Sequence, residues 1–179
     1  MNMTKDIFLN GDTIVLRMLK DEDIYGNYSR WLNDAEITLY NSHGRFPISI
    51  ERLRDFVKGA YASNTDLVLA VCDKNSGTHI GNISLQSINW VDRSAEIAFL
   101  LGEKEFWGKG VMLEAGKIMI QHGFKVLNLH RIHCGTSSEN IGMQKLAQKL
   151  GMILEGVRKE ALFKNGNYCD IFEYAVLSK

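Results

Sequence analysis

The chain has 179 residues, and its 21 Lys+Arg are balanced by 21 Asp+Glu, so the formal net charge is zero. That balance lacks the basic excess of a general nucleic-acid binder, and 45% apolar with 23% charged residues is a globular mix, not a disordered one. No apolar stretch approaches the length of a membrane-spanning helix.

The three cysteines, Cys72, Cys134 and Cys169, are far apart, odd in number and without a C-x-x-C pair. They fit reduced thiols better than a disulfide framework or a zinc site. The N-terminal stretch MNMTKDIFLNGD is polar and lacks the apolar core of a signal peptide. A cytoplasmic protein is expected, with no metal and with neither membrane nor nucleic acid as partner. There is one proline, Pro47, no Gly/Ser-rich linker and no repeat, so residues 1–179 read as a single domain.

In chain order, residues 13–18 form the first apolar, β-branched run and predict a strand. Asp21, Glu22 and Asp23 then place acids where a helix starts, and Ile24, Tyr28, Trp31 and Leu32 recur at helical spacing. A second helix is expected from Ser49, with Leu53, Phe56, Val57 and Ala60 as its apolar face. Residues 67–72 and 79–85 predict two strands joined by the turn 73–77. Residues 95–101 predict a third, in which Ala95, Ile97, Phe99 and Leu101 share one face. Gly108-Lys109-Gly110 opens a helix with a wide apolar arc, as expected of a helix pressed onto a sheet. Residues 130–136 read as a strand. Ser138, Glu139 and Asn140 offer N-caps for a helix with Met143, Leu146, Ala147 and Leu150 inward and Gly151 as its stop. Asn165-Gly166 marks a terminal hairpin. The expected class is α/β in the α+β sense. It has a mostly antiparallel sheet of six to seven strands, a βαβ unit in the second half and about four helices.

The segment Glu105-Phe106-Trp107-Gly108-Lys109-Gly110-Val111-Met112 lies between a buried strand and a buried helix. Two glycines one residue apart let the backbone fold tightly and aim several N–H groups at one point, beside the positive end of the helix. Such a loop suits a pyrophosphate, although a lone G-x-G is often only a turn. It is not a P-loop, since G-K-[ST] is missing, nor a dinucleotide fingerprint, since the third glycine is missing.

Across nearly its whole length the sequence resembles the GNAT N-acetyltransferase superfamily, and more closely its ribosomal-protein N-acetyltransferase branch. The residues carrying the resemblance are Leu16-Arg17, Trp31-Leu32-Asn33-Asp34, Arg93-Ser94-Ala95-Glu96-Ile97 and Trp107-Gly108-Lys109-Gly110. Asn140, Lys149-Leu150-Gly151-Met152, Glu155-Gly156, Asn165-Gly166, Asp170 and Tyr174 continue it. The segments 88–96 and 127–130 also resemble the spermidine acetyltransferase branch. The resemblance implies a splayed pair of parallel strands, residues 95–101 and 130–136, with acetyl-CoA as co-substrate lying in the gap. Its pantetheine arm would pair with Phe99, Leu100 and Leu101, and its pyrophosphate would sit on Phe106, Trp107, Gly108, Lys109, Gly110, Val111 and Met112. Asn140 resembles the family asparagine that touches the coenzyme arm; a plain N-cap is the other reading.

The acceptor is then a primary amine: a protein N-terminus, a polyamine or an amino sugar. An alkyl ammonium titrates near that of lysine, about 10, so a base helps, and Glu96 is the candidate. His130 and His133 are lesser candidates, and Cys134 reads as a small buried side chain. The N–H near Leu101 is a candidate oxyanion donor. Trp31, Tyr40 and Trp90 are candidate acceptor-side aromatics, with packing as the alternative. For Asp170, acceptor binding and structural pairing are both open. Two features depart from the family pattern. Glu105 occupies the motif's first position, where a glutamine or arginine is usual. Met143 and Ala147 occupy positions where relatives carry a serine or tyrosine proton donor. The competing reading is a non-catalytic acetyl-CoA-binding sensor or partner subunit. A homodimer is compatible with the resemblance.

Overall fold

A computed structural model describes residues 6–179; the first five residues of the polar N-terminal stretch lie outside the described residues. One sheet of eight strands runs through the molecule: β1 (Ile7–Asn10), β2 (Ile14–Met18), β3 (Leu67–Asp73), β4 (His79–Asn89), β5 (Ser94–Leu101), β6 (Arg131–Ser137), β7 (Ile153–Lys164) and β8 (Asn167–Leu177). Their spatial order is β1-β2-β3-β4-β5-β6-β8-β7, and every neighbouring pair is antiparallel except β5 and β6. The sheet therefore exceeds the expected six or seven strands. The strand not foreseen is β1, whose four residues pair with β2 across a bulge between Ile7 and Leu9.

The helices form four bodies. A first run comprises α1 (Asp21–Asp23), a π-type segment (Ile24–Tyr28) kinked at Gly26, and α2 (Ser29–Asn33). The others are α3 (Ile50–Ala62), α4 (Val111–Lys125) and α5 (Ile141–Lys149). Ser49 caps α3, its hydroxyl accepting from Arg52 N at 3.2 Å. Asn140 caps α5, its Oδ1 accepting from Met143 N at 3.0 Å.

Strand alternation divides the core into two layers. Ile14, Leu16, Leu69, Val71, Ile83 and Ile97 face one side, where Ala115 and Met119 of α4 and Ala147 of α5 cover them. Val15, Ala70 and Cys72 face the other, covered by Ile24, Trp31, Leu32, Leu53 and Val57. The α3 stripe is narrower than expected: Leu53 and Val57 are buried, but Phe56 is 44% exposed. It borders a cavity instead of the core.

The parallel pair is the irregular place in the sheet. β5 and β6 pair only from Ser94↔Arg131 to Glu96↔His133. Beyond that, β5 stays bonded to β4 as far as Leu101, and β6 to β8 as far as Ser137. The two strands part, and a gap opens in the middle of the sheet.

Candidate active site

The edge of β5 that borders the gap has a defined polarity. Gly102 N donates to Ile80 O on the β4 side, and Arg131 N donates to Arg93 O on the β6 side. The two-residue alternation then turns the N–H and C=O groups of Ile97, Phe99 and Leu101 toward the gap. Leu101 O accepts from Trp107 Nε1 at 3.1 Å, which fastens the glycine loop to this edge.

The loop leads through a short 3₁₀ turn, Lys104–Phe106, to Gly108 (φ 75°) and Gly110 (φ 82°), the latter the cap residue of α4. This left-handed backbone is why glycine stands at both positions. A Cβ on either would meet no atom within 4 Å, so the space above the loop is open. Leu113 N and Glu114 N donate to Gly110 O. The N–H groups of Val111 and Met112 head the helix without an intrahelical acceptor, at its positive end. Lys109 Nζ sits 5.2 Å from the centre of the Phe106 ring. Glu105 is exposed and does not border the cavity.

A cavity of about 1130 Å³ passes from this loop through the gap and onto the face covered by α2 and α3. Of the residues singled out in the sequence, Phe99, Leu100, Leu101, Phe106, Trp107, Gly108, Gly110, Val111, Met112 and Asn140 line it, and so do Glu96, Tyr40 and Cys134. Lys109 stands outside the lining. Glu96 sits where β5 and β6 part, opposite Gln86 on β4 and His133 on β6. Cys134 is buried with its Sγ 3.8 Å from Met152 Sδ. Burial, then the charges of Glu96 and Glu173, push its thiol up to about 12. Met143 lines the cavity and Ala147 is fully buried, so neither offers a proton.

Four expected residues are placed elsewhere. Trp31 is 2% exposed, and its Nε1 donates to Glu103 Oε1 at 3.1 Å. Its ring lies so close to Gly102 that a Cβ there would come within 1.9 Å of Trp31 Cδ2. Trp31 thus packs against Gly102 and Glu103, just after β5, and does not border the cavity. Asp170 accepts from Lys159 Nζ at 2.8 Å and Glu160 N at 2.9 Å, which bolts the terminal hairpin together away from the cavity. Trp90 donates to Asn64 O at the far end of β4. His130 contacts Ser178 Oγ there too.

The structure also brings in residues not singled out beforehand. Tyr28, Arg52, Asn82, Ser84 and Gln86 line the half of the cavity over the α2–α3 face. Asn82, Ser84 and Gln86 alternate along β4 with Gly81, Ile83 and Leu85. A polar face with period two on a strand that is otherwise apolar was the available signal. Behind Asn82 runs a buried chain. Arg17 donates twice to Asp23, each time at 2.7 Å, and Lys20 N donates to it at 2.8 Å. His79 Nδ1 lies 3.2 Å from Asp23 Oδ1, and its Nε2 lies 2.8 Å from Asn82 Oδ1. Burial alone would raise Asp23. Hydrogen bonds from Arg17 and His79 outweigh it and hold the carboxyl well below the usual range.

A strand gap joined to an anion-suited helix start, with a second chamber on the opposite face, defines a class of protein that joins two substrates. Residues 13–153 match the family described as Acetyltransferase (GNAT) domain, and the chain belongs to that family. It is an acetyl-CoA-dependent acyltransferase by that membership. An uncharacterised N-acetyltransferase of Bacillus subtilis is 35% identical over 169 residues, covering 93% of this chain and 94% of that protein. The spermidine N-acetyltransferase from Vibrio cholerae in complex with CoA and spermine has a TM-score of 0.85 at 27% identity, covering 92% of this chain and 95% of that one. A ribosomal L7/L12 alpha-N-protein acetyltransferase in complex with coenzyme A shares the fold, with a TM-score of 0.86 at 21% identity over 96% of this chain and 98% of that one.

Proposed function

We propose that this chain moves the acetyl group of acetyl-CoA onto a primary amine by direct attack within a ternary complex. The observation that carries this reading is the single cavity reaching both the open loop at Gly108 and Gly110 and, through the gap, Glu96. The pantetheine arm adds to the free edge of β5 as a strand would, on the groups of Phe99 and Leu101. The pyrophosphate rests on the N–H groups of Gly110, Val111 and Met112, with Lys109 near by. Asn140 Oδ1 is engaged by its cap, so its Nδ2 is the atom that faces the arm.

The amine enters over the α2–α3 face. Its nitrogen lone pair attacks the thioester carbon, and an N–H on the β5 edge, at Phe99 or Leu101, holds the developing oxyanion. Glu96 takes the ammonium proton, directly or through water. The C–S bond then breaks. The coenzyme thiol has a pKa near that of free cysteine, roughly 8.5, so it leaves as thiolate and takes its proton from water. A strong acid at position 143 or 147 is not required.

The test is thermal unfolding with acetyl-CoA, with ATP as control, followed by thiol release on a panel of amines. At a hundredfold over its dissociation constant, acetyl-CoA should add about 2.7 kcal/mol, and ATP nothing. A shift with no amine-dependent thiol release would make the chain a coenzyme-binding subunit. No shift would end the enzyme reading. Gly108→Trp should abolish the shift by filling the open space over the loop. It should cost the unliganded protein only about 1–2 kcal/mol, for a side chain in left-handed backbone. An undiminished shift would remove the loop from the binding site.

A further inference from the structure

Resting on that reading, we infer that the acceptor carries an oxygen close to its amine, and that Asn82 and Tyr28 select it against a polyamine. The orientation of the Asn82 carboxamide is set by its neighbours. His79 Nε2 lies 3.0 Å from Gly81 O as well as 2.8 Å from Asn82 Oδ1. A backbone carbonyl only accepts, so Nε2 carries a proton, and the Asn82 atom facing it is the oxygen. Asn82 Nδ2 is thereby turned away from the His79–Asp23–Arg17 chain. Asn82 is 6% exposed and borders the cavity, and no hydrogen bond satisfies its Nδ2. Tyr28, whose ring packs edge-on against His79 with centroids 5.9 Å apart, is buried and also borders the cavity.

A donor at this end of the chamber is left unmatched. Among the described residues Asn82 Nδ2 has no hydrogen-bond acceptor for its two hydrogens, and the Tyr28 hydroxyl brings a further donor hydrogen. An occupant that displaces solvent here must bring an acceptor atom. A carbonyl, hydroxyl or carboxylate oxygen does so. A protonated polyamine brings only N–H donors and methylenes, and leaves the buried donors unpaired.

The charges of the wall point the same way. A polyamine's remaining ammonium groups need carboxylates. Glu36, which lines the cavity, and Asp34 outside its lining are both held by Lys104 Nζ, at 2.6 and 3.1 Å. Arg52 lines the wall, and among the described residues its guanidinium makes no ion pair. A second ammonium would meet that guanidinium, an unfavourable like-charge contact. An oxygen-bearing acceptor meets it favourably.

The experiment compares leucinamide with 3-methylbutylamine, the same skeleton without the carboxamide, and with spermidine. It is run on the wild type, Asn82→Leu and Tyr28→Phe. The expected result is a preference for leucinamide of about tenfold or more in kcat/KM, shrinking severalfold or more in both variants, with the change mainly in KM. Spermidine as the best substrate, or a preference unchanged in both variants, would overturn the inference. If no amine releases the thiol, the enzyme reading falls, and the inference is read by binding. The Asn82 Nδ2 NMR signal, assigned by its loss in Asn82→Leu, should move with leucinamide and not with 3-methylbutylamine. An equal response, or none, would refute it.

Discussion

Glu96→Gln is expected to lower amine-dependent thiol release by about 10²–10⁴-fold while leaving the acetyl-CoA thermal shift in place. The substitution keeps the shape of the side chain and removes its ability to take a proton. Glu96 is well placed to be read this way. It occupies the last residue pair that joins β5 to β6, so the strand is held on both sides at this point while its side chain borders the cavity. The coenzyme half of the site, from Phe99 to Met112, lies downstream of it and contributes open backbone groups that the substitution does not touch. Measuring the thermal shift beside steady-state turnover separates the two halves. Wild-type turnover in the variant would mean that bulk water serves as the base. Loss of the shift together with turnover would mean that Glu96 shapes the coenzyme site.

Asp23→Ala is expected to destabilise the fold by about 3–5 kcal/mol, read as a lower urea midpoint. The carboxylate is 7% exposed and answers two Arg17 nitrogens, Lys20 N and the His79 ring. Its removal strands the Arg17 guanidinium, whose side chain is only 14% exposed. The same carboxyl sets an acid limit. Its acidity in the folded protein is strengthened, so its contribution is complete above the ordinary carboxylate value of about 3.9 and is lost as pH falls below it. The wild type should therefore lose stability more steeply than Asp23→Ala as pH drops through that window. A cost under about 1 kcal/mol, or parallel acid profiles, would show that the cluster is effectively solvated.

The elements that the sequence announced are those in which local pattern and burial agree. Residues 67–73 and 94–101 are central strands with apolar runs, and α4 carries apolar residues on a wide arc because it lies flat on the sheet. β1 was not legible: four residues on a bulged edge provide neither length nor clean alternation. β7 lost its alternation to two bulges, one of them around Glu160 with its positive φ, although Asn165-Gly166 still marked the hairpin. In the site, the glycine loop was legible because its conformation demands glycine. Trp31 was legible as important but not as a support for Gly102, since that contact joins residues some seventy positions apart. Tyr28, Arg52 and Asn82 converge only when the first helical run and α3 fold over β4. No spacing along the chain signals that meeting.

The short pairing of β5 and β6 also bears on how the molecule holds together. Three residue pairs, with His130 N donating to Arg93 O beside them, form the backbone seam between a five-stranded plate, β1 to β5, and a three-stranded one, β6, β8 and β7. In the proposed complex the coenzyme arm lies along the unzipped length of that seam and acts as a removable ninth strand. The arm that delivers the acetyl group also splices the two plates, and release of the spent coenzyme removes that splice.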